Sequence, residues 1–391
     1  MILFDLVATQ GKVNGGAEYA KRVFREVASK AGSRLECLYE STMPLPEGVA
    51  RICSERGIPL HDLRKIDVVE LCRINSYERF FLPIIQRYYW LDFEEISCPV
   101  ILTWHDVREL EIQSFRRKFW ERRFRSRTGL MKTALKVLLM PFKADNDFYA
   151  YKAGYSNIAR LCGRTTTTII ADSSHTKHTI RYFFPEISPG RIKVLFPPEK
   201  NSAGKSSVVE DPILRGLIQE GRKFVLLISC DRPEKNAGLF LSQFDRFISE
   251  NPDFCCLLVG HLDKGDWQLL RSREGVHNVG YLSPGDLEAA YEHAYCLVYP
   301  TLQEGFGYPP LEAMKYGTPV IASAATSLPE VLGDSALAIC PFYEFELFAR
   351  LMVLINDRDS FSREARTRYD MIRARQEADL ASTVSLIVDG V

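Results

Sequence analysis

The sequence has no charge surplus of either sign. Lys and Arg number 50 and Asp and Glu number 50, so bulk electrostatics names no partner. It has ten cysteines but no CxxC pair and no Cys/His metal spacing; they are scattered, with only Cys255 and Cys256 adjacent. That argues against a structural zinc and fits reduced thiols in the cytoplasm. No apolar run is long enough to span a bilayer. The opening MILFDLVATQGK lacks a basic stretch before its short apolar run, so it reads as a first strand and not a signal peptide. Internal repeats and low-complexity tracts are absent. What remains is an ordinary globular composition, 46% hydrophobic and 26% charged. At 391 residues the chain exceeds one ordinary core, so two domains are expected.

Short apolar runs recur along it. After residues 1–8 comes a glycine-bearing loop, TQGKVNGG, and then a helix from about Ala17 to Ala31. Ala20, Val23, Phe24, Val27 and Ala28 share one face of that helix, and Gly32 serves as its C-cap. Further strand candidates are CPVILTW (98–104), TTTTIIA (165–171) and RIKVLF (191–196). The second half adds KFVLLIS (223–229), FCCLLVG (254–260), YCLVYP (295–300) and TPVIAS (318–323). These runs do not alternate, and each precedes a turn and a helical pattern, as in parallel sheets buried on both faces. The polar NSAGKSSVVEDP (201–212) reads as a linker. The predicted division is 1–200, 201–365, and a C-terminal helix over 366–391 with the option of returning to the N-terminal domain.

One segment breaks the charge balance. FRRKFWERRFRSRTGLMKTALKVLLMPFK (115–143) carries ten Lys/Arg and one Glu, with Phe115, Phe119, Trp120 and Phe124 interleaved. Such a stretch either lies on an anionic membrane surface or packs its apolar side internally. Nucleic acid is not expected, because no binding motif accompanies the charge.

The stretch PTLQEGFGYPPLEAMKYGTP (300–319) sets Glu304 and Glu312 on either side of a glycine turn. Gly305, Phe306 and Gly307 follow a strand and precede a helix expected to begin at Pro309 or Pro310 and to end at Gly317. Open α/β sheets bind ligands at such strand ends, and free N–H groups there favour a phosphate. Two carboxylates repel a diphosphate but accept from hydroxyls, with Glu312 placed in the helix's first turn. The implied ligand is a diphosphate flanked by two polyols, a nucleotide-sugar. The alternative is that both glutamates only cap or solvate a helix start.

The longer stretch HNVGYLSPGDLEAAYEHAYCLVYPTLQEGFGYPPLEAMKYGTPVIASAATSLPEVLGDSAL (277–337) resembles the C-terminal signature of retaining GT-B glycosyltransferases of family 4, the group 1 type. The resemblance implies two doubly wound Rossmann-like α/β domains facing a cleft, with the acceptor side in 1–200 and the nucleotide-sugar in 201–365. It implies that Glu304 contacts the donor sugar, Glu312 the ribose, the Gly305–Phe306–Gly307 backbone the phosphates, and the loop around Tyr281 the nucleobase. In CDRPEKN (230–236), Lys235 matches a lysine that neutralises the departing diphosphate. Cys230 stands where many members have arginine, and Arg232 is the nearest substitute. VNGGAEYAKRVF (13–24) matches a glycine-rich loop, with Gly15 and Gly16 at the phosphate. ILTWHDVREL (101–110) matches a strand-end histidine, His105, used near sugar and acceptor; Asp106 reads as a cap or local partner. In ADSSHTKHTI (171–180), Asp172, Ser173 and Ser174 read as N-caps. His175 and His178 lack a third ligand, and Glu330 reads as structural.

The resemblance further implies retention at the anomeric carbon, with the sugar attacked on one face and the diphosphate taking the acceptor's proton. No metal and no cofactor is expected. Expected partners are a GDP- or UDP-sugar and a glycan or lipid-linked acceptor, with the protein cytoplasmic or peripheral at the inner membrane face. A hexosyl, preferably mannosyl, donor follows from the PEKN variant. Two rivals are a non-catalytic nucleotide-sugar-binding scaffold and a GT-B sugar-nucleotide epimerase.

Overall fold

A computed structural model describes residues 1–11, 15–88, 91, 93–111, 157–200, 208–261 and 275–391. The basic segment 115–143 therefore lies outside the described residues. Those described form two compact units, one reaching from Met1 to Asn201 and taking in Arg373–Val391, the other covering Ser202–Ile372. No helix among them is long and apolar enough to cross a membrane.

The first unit is built on a parallel sheet of β1 (Ile2–Asp5), β2 (Leu35–Tyr39), β3 (Leu60–Asp62), β4 (Arg79–Leu82), β5 (Val100–Trp104), β6 (Thr167–Ala171) and β7 (Ile192–Val194), in the order β3-β2-β1-β4-β5-β6-β7. The non-alternating runs explain the pairing: all of ILFD and all of VILTW are buried, as strands covered on both faces must be. The order reverses between β1 and β4, so loops diverge there. The helix Gly15–Ala31 lays Tyr19, Val23, Phe24 and Val27 against Ile2, Phe4 and Phe81. Each such large side chain contributes about 1.5–3 kcal/mol on burial. Leu380, Val384 and Ile387 join that same core, and Arg79 donates to the carbonyls of Val388 (3.0 Å) and Asp389 (3.1 Å). They come from the helix Glu344–Val388, which bends at Asp357.

Asp5 ends β1 without solvent exposure, its Oδ1 accepting from the Val7 N–H at 2.8 Å. Burial pushes its carboxyl from 3.8 up to about 6, against weaker downward pulls from Tyr88, Val7 and Arg87. A raised folded-state pKa means that stability is full below the unfolded value and is lost as pH rises through about 6. Two units correspond to about 3 kcal/mol. Asp5→Asn is therefore expected to flatten the fall in melting temperature between pH 4 and 7; parallel wild-type and variant curves would refute this.

The second unit holds β8 (Lys223–Ile228), β9 (Phe254–Val259), β10 (Val276–Asn278), β11 (Cys296–Tyr299), β12 (Val320–Ser323) and β13 (Leu337–Ile339), all parallel, in the order β10-β9-β8-β11-β12-β13. Phe240, Phe244, Phe247 and Phe254 run as a file of rings, with successive centroids 4.9, 6.1 and 5.1 Å apart, and anchor the helix Ala237–Glu250 to the sheet. Here the order reverses between β8 and β11. Two doubly wound parallel sheets are thus present, as the runs predict.

Candidate functional site

The switch point between β8 and β11 brings together two turns that are far apart in sequence. Ser229 and Asn236, both with φ of +55°, bracket the turn after β8. The loop after β11 is fastened to it: the Leu302 N–H donates to the Glu234 carbonyl at 2.7 Å, and Thr301 Oγ1 lies 3.1 Å from the same oxygen. This seats Lys235 against Glu304. Lys235 Nζ donates to Glu304 Oε1 and to the Tyr299 hydroxyl, and stands 4.7 Å from the Tyr299 ring centroid. Tyr299 donates to Glu304 Oε1 at 2.8 Å and Thr301 Oγ1 donates to it at 3.1 Å.

Electrostatics holds this pair charged on the acid side and strained on the basic side. Burial alone would raise the Glu304 carboxyl, but the Lys235 ammonium, the Tyr299 hydroxyl and Arg232 together hold it below the usual range. Burial lowers the Lys235 ammonium, with Arg232 adding to the effect and Glu304 opposing it. Lys235 is 5% exposed, so its charge depends on Glu304. Arg232 is more open; its guanidinium pairs with Glu234, with Nε 2.8 Å from Oε1.

The glycine turn follows directly. The Glu304 N–H donates to Thr326 Oγ1 at 3.1 Å, and Ser327 Oγ donates to the Phe306 carbonyl (3.0 Å) with the Glu304 carbonyl 3.3 Å away. Phe306 is buried. Gly307 has φ +99°, and a Cβ there would lie 2.5 Å from Leu328 Cδ2, so glycine is required on both counts. The helix begins at Tyr308, one residue before the expected start, and spans Tyr308–Met314. This corrects the place of Glu312, which falls beyond the first turn. Pro309 and Pro310 carry no N–H, so the amides at this helix entry are mainly those of the glycine turn. Glu312 Oε2 accepts from the Tyr291 hydroxyl at 2.9 Å. Gly307→Ala is expected to weaken nucleoside diphosphate binding at least tenfold and to cost about 1–3 kcal/mol of stability. Calorimetric titration with melting curves checks both, and wild-type values for the pair would contradict the strain argument.

Tyr281 is 64% exposed; its hydroxyl donates to Asp231 Oδ2 at 2.8 Å and its ring meets His261 edge-on at 4.7 Å between centroids. Cys230 is buried, with Sγ directed at the Leu227 carbonyl. Glu330 presents its carbonyl to Arg368 at 2.7 Å.

In the first unit, Gly15 and Gly16 open the helix Gly15–Ala31. His105 lies just past β5. Its Nε2 donates to the Pro83 carbonyl at 3.0 Å, and Nδ1 lies 3.5 Å from Asp172 Oδ2. Burial disfavours its charge, but Asp172, Asp106 and the Pro83 carbonyl outweigh this and raise the imidazole pKa. Both ring nitrogens of His105 are therefore engaged. Asp106 Oδ1 accepts from the Arg108 N–H at 3.2 Å. The expectation that Asp172 caps a helix needs correction: Ser173 caps Ser174–Phe183 by accepting from the Thr176 N–H at 3.1 Å, while Asp172 faces His105. His175 pairs with Glu111 at 2.9 Å.

Sequence reasoning passed over Tyr299, Thr301, Tyr291 and Asp231. The signal for Tyr299 was present: a phenol ends an otherwise aliphatic buried strand, and a buried tyrosine hydroxyl needs a partner.

The family described as glycosyl transferases group 1 matches residues 214–369. The O-antigen chain mannosyltransferase B of Escherichia coli is 34% identical over 172 residues, 42% of this chain and 45% of that protein. The O-antigen chain mannosyltransferase RfbU of Salmonella typhimurium is 25% identical over 203 residues, 50% of this chain and 53% of that protein. The matched region thus spans about half the length of these curated relatives. Among solved structures, Anabaena Alr3699/HepE in complex with UDP-glucose superposes with a TM-score of 0.66 at 16% identity, covering 100% of this chain and 98% of that one. WaaG, a glycosyltransferase involved in lipopolysaccharide biosynthesis, gives 0.65 at 15%, covering 99% of each. The chain has the GT-B fold, and its residues 214–369 match the group 1 glycosyl transferases.

Proposed function

We propose that the protein transfers a hexosyl group, by preference mannosyl, from a GDP- or UDP-sugar to a hydroxyl of a glycan or lipid-linked glycan, with retention of configuration. The observation that carries this reading is the buried Lys235–Glu304 contact at the switch point beside the glycine turn. The cation and the turn amides stabilise the departing diphosphate, and Glu304 takes sugar hydroxyls. Arg232 adds positive charge from its more open position. Glu312 takes the ribose hydroxyls, and Tyr281 lies on the nucleobase side. In the first unit Gly15 and Gly16 let the backbone approach the donor, and His105 orients the sugar and acceptor end. The preference for mannose rests on the names of the relatives and on the Pro-Glu-Lys-Asn turn.

Retention without a protein nucleophile follows if the acceptor enters on the face from which the diphosphate leaves and passes its proton to it. No metal is assigned a role, since Lys235 and Arg232 are the cations. The test is a screen of GDP- and UDP-hexoses for nucleoside diphosphate release and sugar transfer, with Glu304→Ala as control. Release from one donor, abolished in the variant, supports the reading. Conversion of the sugar without release would make the protein an epimerase, and binding without either reaction would make it a scaffold.

The basic aromatic segment 115–143 supports an acceptor at an anionic membrane face. Replacing Arg122, Arg123 and Arg125 by Ser is expected to weaken binding to anionic liposomes about 100-fold, each charge contributing about 1 kcal/mol, and so to lower recovery on flotation. Equal flotation would remove the membrane from the proposal.

A further inference from the structure

Three groups surround Glu304 Oε1: Lys235 from the turn after β8, Tyr299 from the end of β11, and Thr301 from the loop beyond it, whose one hydroxyl proton is shared among this oxygen (3.1 Å) and the carbonyls of Glu234 (3.1 Å) and Gln303 (3.2 Å). All three fall on one oxygen. Among the described residues no protein donor reaches Oε2. One lysine would fix the carboxylate's distance but leave its plane free to rotate. Lys235 on one backbone segment, with Tyr299 and Thr301 on another, fixes the plane as well. Tyr299 is 1% exposed and Thr301 fully buried, so neither hydroxyl has water as an alternative partner.

We propose that Tyr299, supported by Thr301, is a positioning residue that locks the Glu304 carboxylate with Oε2 presented to the donor sugar and keeps Lys235 beside it. This rests on the transferase reading for its consequence in catalysis, though not for the lock itself. Tyr299 touches no reacting atom. It acts through Glu304, so its contribution belongs to sugar orientation and not to nucleotide affinity.

The test uses the full chain and two readouts. Tyr299→Phe keeps the ring, its packing and its 4.7 Å ring contact with the ammonium, and removes the hydroxyl that donates to Glu304 and accepts from Lys235. In donor cleavage it is expected to lower kcat about 10- to 100-fold, the range for a hydrogen bond to a charged group. Donor KM and affinity for GDP or UDP alone should stay within about twofold. Thr301→Val should give a smaller loss, and Thr301→Ser should restore activity.

The second readout needs no turnover. The carbon-13 carboxyl signal of labelled Glu304, assigned by its loss in Glu304→Gln, is titrated with pH. The groups facing it are Lys235 and Arg232, with Glu234 paired to Arg232, on the turn after β8, and Tyr299 on β11. Its midpoint should rise in Tyr299→Phe and in Thr301→Val and return in Thr301→Ser. Unchanged midpoints in both would overturn the lock, as would a kcat loss matched by an equal loss of nucleotide affinity. If wild type cleaves no donor, the transferase reading fails while the titration still decides the lock.

Discussion

Glu304→Ala should lower kcat for donor cleavage by about three orders of magnitude and also destabilise the second unit. The kinetic part follows from position. A carboxylate held beside a buried cation at a strand end acts on the sugar as charge develops, and removing one such preorganised contact costs about 10²–10³ in rate. The stability part follows from Lys235. With Glu304 gone, its ammonium stays buried without a counter-charge, and breaking a buried pair in this way costs about 3–5 kcal/mol. Lys235 relieves part of that by losing its proton, since burial already lowers its pKa. Glu304→Gln keeps the shape and an acceptor for Tyr299, so it should be nearly as inactive but melt closer to wild type. Steady-state kinetics with melting curves on both variants checks this. A Gln variant with wild-type kcat would show that the carboxylate has no part in the reaction.

Lys235→Met removes the charge and keeps the volume. It is expected to lower kcat by about 10²–10³, with donor KM also rising because the diphosphate loses a cation. The effect on stability has a defined pH sense. The Glu304 carboxyl is held low, so its contribution is present above the unfolded value of about 4.5 and lost as pH falls. Without Lys235 burial dominates, the pKa moves up, and the slope reverses: the variant gains stability on acidification where wild type loses it. The double change Lys235→Met with Glu304→Gln should cost scarcely more than the worse single change, because the two residues share one interaction. Additive losses, or a Lys235→Met curve parallel to wild type between pH 4 and 6, would mean that the pair is not coupled in solution.

Most of the strands that the sequence disclosed lie within longer, largely apolar runs; β7 is only three residues long but sits inside RIKVLF. KFVLLI and FCCLLV advertise burial on both faces. β2, β3, β4, β10 and β13 escaped notice because LECLY mixes in Glu36, RFFL has only four residues, and LHD, VHN and LAI have three each. A three-residue strand is defined by its neighbours and not by its own side chains. The glycine bend was readable because its parts are contiguous. The contact between Lys235 and Glu304 was not readable from spacing, since 69 residues separate them and only the adjacency of β8 and β11 brings them together. Asp172 was misplaced because Asp-Ser-Ser offers three capping side chains in a row. Which one caps depends on where His105 sits across the sheet, and local sequence does not encode that.

The first unit closes its core with Leu380, Val384 and Ile387, from the far end of the chain. A ribosome releases this polypeptide from the amino end, so Ile2, Phe4 and Phe24 are made before their last neighbours, which follow more than 350 residues later. The intervening unit, contiguous from 202 to 372, can condense first. Nascent chains stalled before residue 380 should therefore protect the later-made half from protease while the earlier-made half remains open to chaperones, an order of maturation opposite to the order of synthesis.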